Sequence, residues 1–299
     1  MSSVIFNSFT GLNTVSPSTA IINARKMIAG LTQADNVCID SAFKINCREG
    51  YTLKFSGGYK ALWSTNDKGR CYTVTASGDL SELSPDLTEM KILMSGVGAY
   101  PMSFTQTGDD IYFTNNILIG RIIDGVASLL PTVTETYKKA MPAGHLIMFA
   151  FGHLFVARDN KIYISDVKQR YQYDTRIGFK SFISRIRAMD YVTSGIYVSD
   201  EKNIQFLNGR NPLKMVHNKI SPNPAFEGCM TRVEDIKTAT YRYQNAVIWE
   251  SEEGICIGGE GGNYESLTKN NYVIPLKNRG CLIHRETSEG YSQLIAIAQ

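Results

Sequence analysis

From about residue 37 onward, hydrophobic positions fall into short runs separated by polar turns of two to four residues, usually holding Gly or Asp. Short apolar runs bounded by such turns predict β-strands rather than helices. The runs recur as a unit: an apolar strand, a polar turn, an apolar strand with a central Tyr, a second turn and a third strand. The clearest copies span Pro101–Gly120, Leu146–Ser165 and Ile186–Asn208. Weaker copies lie at Ala61–Val74, Asn245–Ile257 and Gly280–Ile295.

Taking Tyr72, Tyr112, Phe155, Tyr197, Cys256 and Tyr291 as register marks, successive gaps are 40, 43, 42, 59 and 35 residues. Gaps near forty match a four-stranded propeller blade. The long gap predicts an insertion over 209–240, where Pro212, Pro222 and Pro224 lie. A lone meander hides one face and one edge. Stacked around an axis, such sheets bury both faces, which suits runs such as Ile111-Tyr112-Phe113 that do not alternate. The fold class expected is therefore all-β, a β-propeller over 37–299 with six short blades, or five as the alternative. An irregular β-sandwich is the competing architecture. Strand-like stretches at Asn36–Ile39 and Phe43–Arg48, set against a last unit that stops at Gln299, predict an N-terminal strand closing the last blade and removing its open edge.

Residues 1–36 differ: they hold few charges and many small polar residues, and read as an extended arm. Ser18 and Gly30 bracket one short helix over 18–30. Apolar residues on a sparsely charged segment call for a partner, from the same chain or a neighbouring subunit. The arm residues Phe6, Phe9, Leu12, Ile21, Ile22 and Met27 are the docking candidates there, with Pro212, Pro222, Pro224 and Phe226 in the insertion.

The chain has 31 Lys and Arg against 28 Asp and Glu, a balance unlike that of a dedicated nucleic-acid binder. No apolar run reaches the roughly 18–20 residues of a membrane span, and Met1–Phe6 has no basic region preceding an apolar core, so no secretion signal is expected. Six scattered cysteines without a Cys-x-x-Cys pair read as reduced core residues, pointing to synthesis in a cytoplasm.

Candidate chemistry is sparse. His145, His153, His217 and His284 lack metal-ligand spacing, so no metal is expected. The nucleophile-elbow, zinc-protease and P-loop motifs are absent, and Gly258–Gly262 reads as a hairpin turn rather than a phosphate loop. Asp109-Asp110, Asp200-Glu201 and Glu252-Glu253 sit in turns, where acids are solvated. No catalytic residue and no cofactor are expected. Basic residues gather at Lys138-Lys139, Lys168–Arg170 and Arg185–Arg187 beside aromatic neighbours; a solvated rim is the plain reading, weak contact with phosphate the sharper one.

The run Gly152–Asp166 resembles the GRLYVA–GN–LYYSEP pattern of structural proteins of tailed bacteriophages, the tail nozzle and packaged-DNA stabilisation type. Ser194–Gly209 is similar to the blade that follows it there, with Pro212 and Gly228-Cys229 at matching positions, and Phe9-Thr10-Gly11-Leu12-Asn13 resembles the F–GLN opening of that group. The similarity touches about half the chain, and Ser165-Asp166-Val167 departs from the SEP of the pattern. The resemblance implies a propeller that is a non-enzymatic virion component, made in the host cytoplasm and housed in the tail. It implies ring contacts with copies of itself and with other tail or head-to-tail proteins, and passing genomic DNA that Lys138, Lys139, Lys168, Arg170, Arg185 and Arg187 meet without sequence specificity. Two other readings compete: a carbohydrate-binding or carbohydrate-cleaving propeller at a tail tip, which needs exposed aromatics and converging acids, and a cellular scaffold that binds peptides. Trp63 and Trp249 lie in apolar runs and are expected in the core.

Overall fold

The computed structural model describes residues 8–12, 22–23, 28–31, 37–39, 45–47, 52–67, 69–238, 241–269, 279–286 and 292–298. The chain forms two compact units, Leu53–Pro222, and Met1–Thr52 with Asn223–Gln299. The N-terminal strands are β1 (Ser8–Leu12), β2 (Ile22–Asn23), β3 (Ile28–Leu31), β4 (Val37–Ile39) and β5 (Ile45–Cys47).

In Leu53–Pro222, four four-stranded antiparallel sheets follow one another. The first is β6 (Ala61–Ser64), β7 (Cys71–Val74), β8 (Leu80–Leu83) and β9 (Met90–Met94); the second is β10 (Ser103–Thr107), β11 (Asp110–Thr114), β12 (Ile119–Ile123) and β13 (Val126–Leu129). Then comes β14 (Lys138–Ala140), ahead of the third sheet: β15 (Leu146–Ala150), β16 (His153–Arg158) and β17 (Lys161–Ile164). β18 (Gln172–Asp174) intervenes before its fourth strand, β19 (Phe179–Ser181). The fourth sheet is β20 (Ile186–Val192), β21 (Gly195–Asp200), β22 (Ile204–Asn208) and β23 (Val216–Ser221). The other unit holds a fifth meander, β24 (Ala225–Lys237), β25 (Arg242–Ser251), β26 (Gly254–Gly258) and β27 (Tyr264–Ser266), then the hairpin β28 (Gly280–Glu286) and β29 (Ser292–Ala298). The fold is all-β and of the β-propeller type. Five meanders and the C-terminal hairpin make six blade-like sheets, the number read from the repeat.

Stacking explains the continuous apolar runs. Ile111 and Phe113 of β11 pack toward the first blade with Tyr72 and Val74, while Tyr112 between them packs toward the third with Leu154 and Val156. Phe155 and Ala157 then face the fourth blade, beside Ile196 and Val198. β11 and β16 therefore each serve two cores, one on each face.

The first strands of neighbouring blades are also joined by side chains. β15 pairs only with β16 in its sheet, so one edge of its backbone is left over. Ser103 Oγ accepts from Ile147 N at 3.0 Å, and Thr105 Oγ1 from Phe149 N at 2.9 Å. Residues two apart on β10 share a face, so a Ser-x-Thr spacing meets successive outward amides of the next strand.

Three expectations change. The register mark of the fifth meander is Ile248, not Cys256: Tyr72, Tyr112, Phe155 and Tyr197 all lie on second strands, whereas Cys256 lies on the third. Both runs are apolar because both are buried, so hydrophobicity alone does not separate them. The segment 209–240 is not a loop inserted into one blade; it is divided between β23 of the fourth blade and the 13-residue β24 of the fifth. The described part of 18–30 is strand, not helix: Ile22–Asn23 and Ile28–Leu31 pair with each other, as β-branched Ile favours. Among the described residues, β4 pairs with β5, β3 with β1 and β2, and β28 with β29, so no ladder there joins an N-terminal strand to the hairpin. No helix among them is long and apolar enough to cross a membrane.

Candidate functional site

The third blade departs most from a plain meander. β17 ends where Ser165 turns back on the blade: its Oγ accepts from Leu154 N at 2.8 Å, while its own amide donates to Leu154 O at 2.9 Å. The chain then leaves the sheet and returns only at Gly178, whose amide donates to Asp174 O at 2.7 Å. A Cβ on Gly178 would sit 2.7 Å from that same oxygen, so the tight return admits only glycine without displacement. The excursion 166–178 is met by the connector ahead of β15: β14 pairs antiparallel with β18, Lys138 opposite Asp174 and Ala140 opposite Gln172. Two long loops of one blade are thereby zipped into a lip.

Charge organises the lip. Lys138 Nζ lies 2.8 Å from Asp166 Oδ2 and 3.7 Å from Asp174 Oδ2. Arg176 Nε donates to Asp174 Oδ1 at 3.0 Å and its Nη2 to Asp174 Oδ2 at 2.8 Å, a two-pronged contact that suits a planar guanidinium. Arg176, with Lys138 behind it, holds the Asp174 carboxyl well below the usual range, and Asp166 raises Lys138. Arg176 also lies over the Tyr137 ring at 4.5 Å and Arg170 over Phe149 at 4.9 Å. Tyr137 and Lys139 on the connector, and Val167, Lys168 and Ile177 on the excursion, are exposed. The surface is cationic with apolar patches.

The structure therefore brings Lys138, Lys139, Lys168 and Arg170 together, with Lys138 already ion-paired. Arg185 and Arg187 lie apart from them, half-buried at the start of the fourth blade. Phe226 and Pro212 are corrected as docking residues, because both are buried: Phe226 packs with Cys229, Val233 and Ile248 in the core of the fifth meander, and Pro212 opens a short 3-10 turn. Pro222 is exposed and Pro224 half-buried. Phe9, Leu12 and Ile22 lie on β1 and β2, while Phe6, Ile21 and Met27 fall outside the described residues. Asp166, Asp174 and Arg176 are the site residues that sequence reasoning missed. Asp166 and Asp174 lie 28 and 36 positions from Lys138 in the chain, and the β14–β18 pairing brings them together.

Other candidates resolve into structure. His145 Nε2 meets Ile186 O at 2.7 Å, His153 Nδ1 meets Ser165 O, and His217 Nδ1 meets Gln205 Oε1 at 3.0 Å. Burial and nearby Lys180 push His217 down. Trp249 is fully buried, and Trp63 is half-buried, stacked on Phe104 at 5.6 Å. Neither offers the open indole platform that a sugar site uses. Cys229 and Cys256 are buried as expected, Cys71 is half-buried, and Cys281 is exposed, a correction to its core reading.

No known family profile and no curated protein matches the chain. Among solved structures, the extracellular domain of a putative hybrid two-component system from B. thetaiotaomicron is similar at a TM-score of 0.53 and 9% identity. The match covers 84% of this chain and 34% of the other, so the chain spans about a third of that protein's length. The likeness is one of fold alone. YCF48 bound to D1 peptide aligns at a TM-score of 0.48 and 11% identity, over 77% of this chain and 73% of its own. The computationally designed Ika8 protein aligns at 0.46 and 10%, over 80% of this chain and 71% of its own.

Proposed function

We propose that this chain is a non-enzymatic structural propeller of a tailed-bacteriophage virion, of the tail nozzle or adaptor type, assembled around the tail conduit through protein–protein contacts. One observation carries the reading. The run Gly152–Asp166, which resembles the phage pattern, forms the second and third strands of a blade and leads directly into the basic, apolar-edged lip. The blade supplies rigidity, and the lip supplies a surface with both charge and exposed side chains. Neighbouring tail proteins and further copies of the chain are its partners, contacting the lip, Pro222, and the arm residues Phe6, Phe9, Leu12, Ile21, Ile22 and Met27. Lys139, Lys168 and Arg170 meet passing DNA only through its phosphates, a contact that weakens with salt.

The test is to express the chain with its genomic neighbours, purify assembled particles and locate it by cryo-microscopy. Multiple copies around the tail axis are expected, and a chain lacking residues 1–36 is expected to fold yet stay out of particles. A monomer found only outside particles would overturn the reading.

A further inference from the structure

The ladder that zips the lip is open on one side. Among the described residues β14 pairs only with β18. β18 closes its own far edge: the Gln172 amide donates to Gln169 O at 3.1 Å, and Asp174 O accepts from the Gly178 amide at 2.7 Å. On the shared side, Met141 N donates to Tyr171 O at 2.8 Å and Thr175 N to Tyr137 O at 2.9 Å. Bonded residues alternate along an antiparallel ladder, so Tyr137, Lys139 and Met141 turn their backbone groups toward β18. Lys138 and Ala140 turn theirs the other way. The Lys138 amide donates to Glu135 O at 3.2 Å. The Lys138 carbonyl and both backbone groups of Ala140 therefore face an edge that no strand occupies among the described residues. Such an edge is a template for another chain.

The side chains around it select by charge. Asp166 and Asp174 are taken up by Lys138 and Arg176. Lys139, Lys168 and Arg170 have no carboxylate partner among the described residues, and the Arg170 Nε is buried with no partner at all. Lys139 sits on β14 itself. Lys168 follows two residues after Asp166, which holds Lys138, and Arg170 precedes Tyr171, whose carbonyl holds Met141. Three uncompensated positive charges thus flank the ladder. Tyr137, Val167 and Ile177, each more than half exposed, add apolar surface beside them.

We propose that the β14 edge binds an acidic, extended segment of a partner protein, which adds as a third strand to the β14–β18 ladder. The proposal rests on the lip being a contact surface, not on the phage assignment. Backbone bonds to Lys138 and Ala140 fix the register, and carboxylates on the added strand meet Lys139, Lys168 and Arg170. A nucleic acid matches the charge but has no row of amides and carbonyls to pair with the edge. A basic strand pairs with the edge but meets uncompensated positive charge.

The experiment titrates the full chain into a fluorescently labelled peptide of about twelve alternating Glu and Val residues, at neutral pH and physiological salt. Anisotropy reads binding, and hydrogen exchange by mass spectrometry reads its place. Saturable binding is expected, with exchange at 138–141 slowed several-fold. Replacing every Glu by Lys removes the charge match, and N-methylating every amide removes the backbone donors; each is expected to weaken binding at least about tenfold. Lys139→Glu combined with Lys168→Glu, both changes at exposed positions, is expected to weaken it by a similar factor while leaving the melting midpoint where it was. No saturable binding, equal binding of the Lys or N-methylated peptide, slowed exchange confined to other segments, or displacement of the peptide by duplex DNA of equal charge would each overturn the proposal. The chain is assayed outside any particle, so this result and the cryo-microscopy of particles can fail independently.

Discussion

Gly144 carries no side chain because there is nowhere to put one. A Cβ there would fall 2.2 Å from Ala157 O and 2.6 Å from Val156 Cγ1, in the seam between the second and third blades. Its amide donates to Thr114 Oγ1 and its carbonyl accepts from the same oxygen, each at 2.9 Å, so the seam is a clip between two chain segments. Gly144→Ala forces the clip open and is expected to cost about 1–3 kcal/mol in urea unfolding, the range for overpacking a dense core. A loss under about 0.5 kcal/mol would show that the seam yields freely. Glu250 makes the opposite kind of prediction. Burial raises its carboxyl above the ordinary 4.5, so the folded state holds a proton that the unfolded chain releases more readily. That raises no cost below pH 4.5, and stability falls as pH climbs from there through the native value. Glu250→Gln removes the titration, so the variant should gain on the parent as pH rises from 4 to 7. Parallel stability curves across that range would contradict the assignment.

The lip stands or falls by a two-strand ladder and the charges that tie it. Asp174 accepts from Arg176 twice and faces Lys138, and its carboxyl is held below the ordinary 3.8. A depressed carboxyl stabilises the fold fully above its unfolded value and loses that contribution as pH falls below about 3.8 toward the native one. Asp174→Asn should therefore raise amide exchange at 138–141 and 171–175 at least several-fold at pH 7, leave β16 protected, and erase the acid sensitivity of the lip. Unchanged exchange would show that the backbone ladder suffices. Nothing local marks this element. Lys138 reads as a free cation because Asp166 and Asp174 lie 28 and 36 positions away, and three-residue strands are too short to show a period. Tyr72, Tyr112, Phe155 and Tyr197, by contrast, are legible because each sits in a run buried on both faces, in the same strand of successive blades. That signal fails at Cys256, where the second and third strands, over Ala246–Trp249 and Cys256–Gly258, are equally buried. It fails for Phe226 too, since a large apolar residue after two prolines looks the same whether it faces a partner or its own core.

At the scale of the whole chain, the division into two units makes a claim about cooperativity. The three cores of Leu53–Pro222 lie between its own consecutive blades: Tyr72 with Phe113, Tyr112 with Leu154, and Phe155 with Ile196. Stability in stacked repeats is close to a sum of repeat terms and nearest-neighbour interfaces. A fragment of residues 53–222 carries every one of those interfaces, so it should give a β-type far-UV spectrum and one cooperative melt. Leu154 is fully buried in the middle interface, and Leu154→Ala should cost about 2–5 kcal/mol by transfer and cavity effects. Because the described residues of that core all lie within the fragment, the cost should be equal in fragment and full chain to within about 0.5 kcal/mol. A fragment that melts without cooperativity, or a penalty that differs by more than that margin, would mean that 53–222 relies on the rest of the chain for its packing.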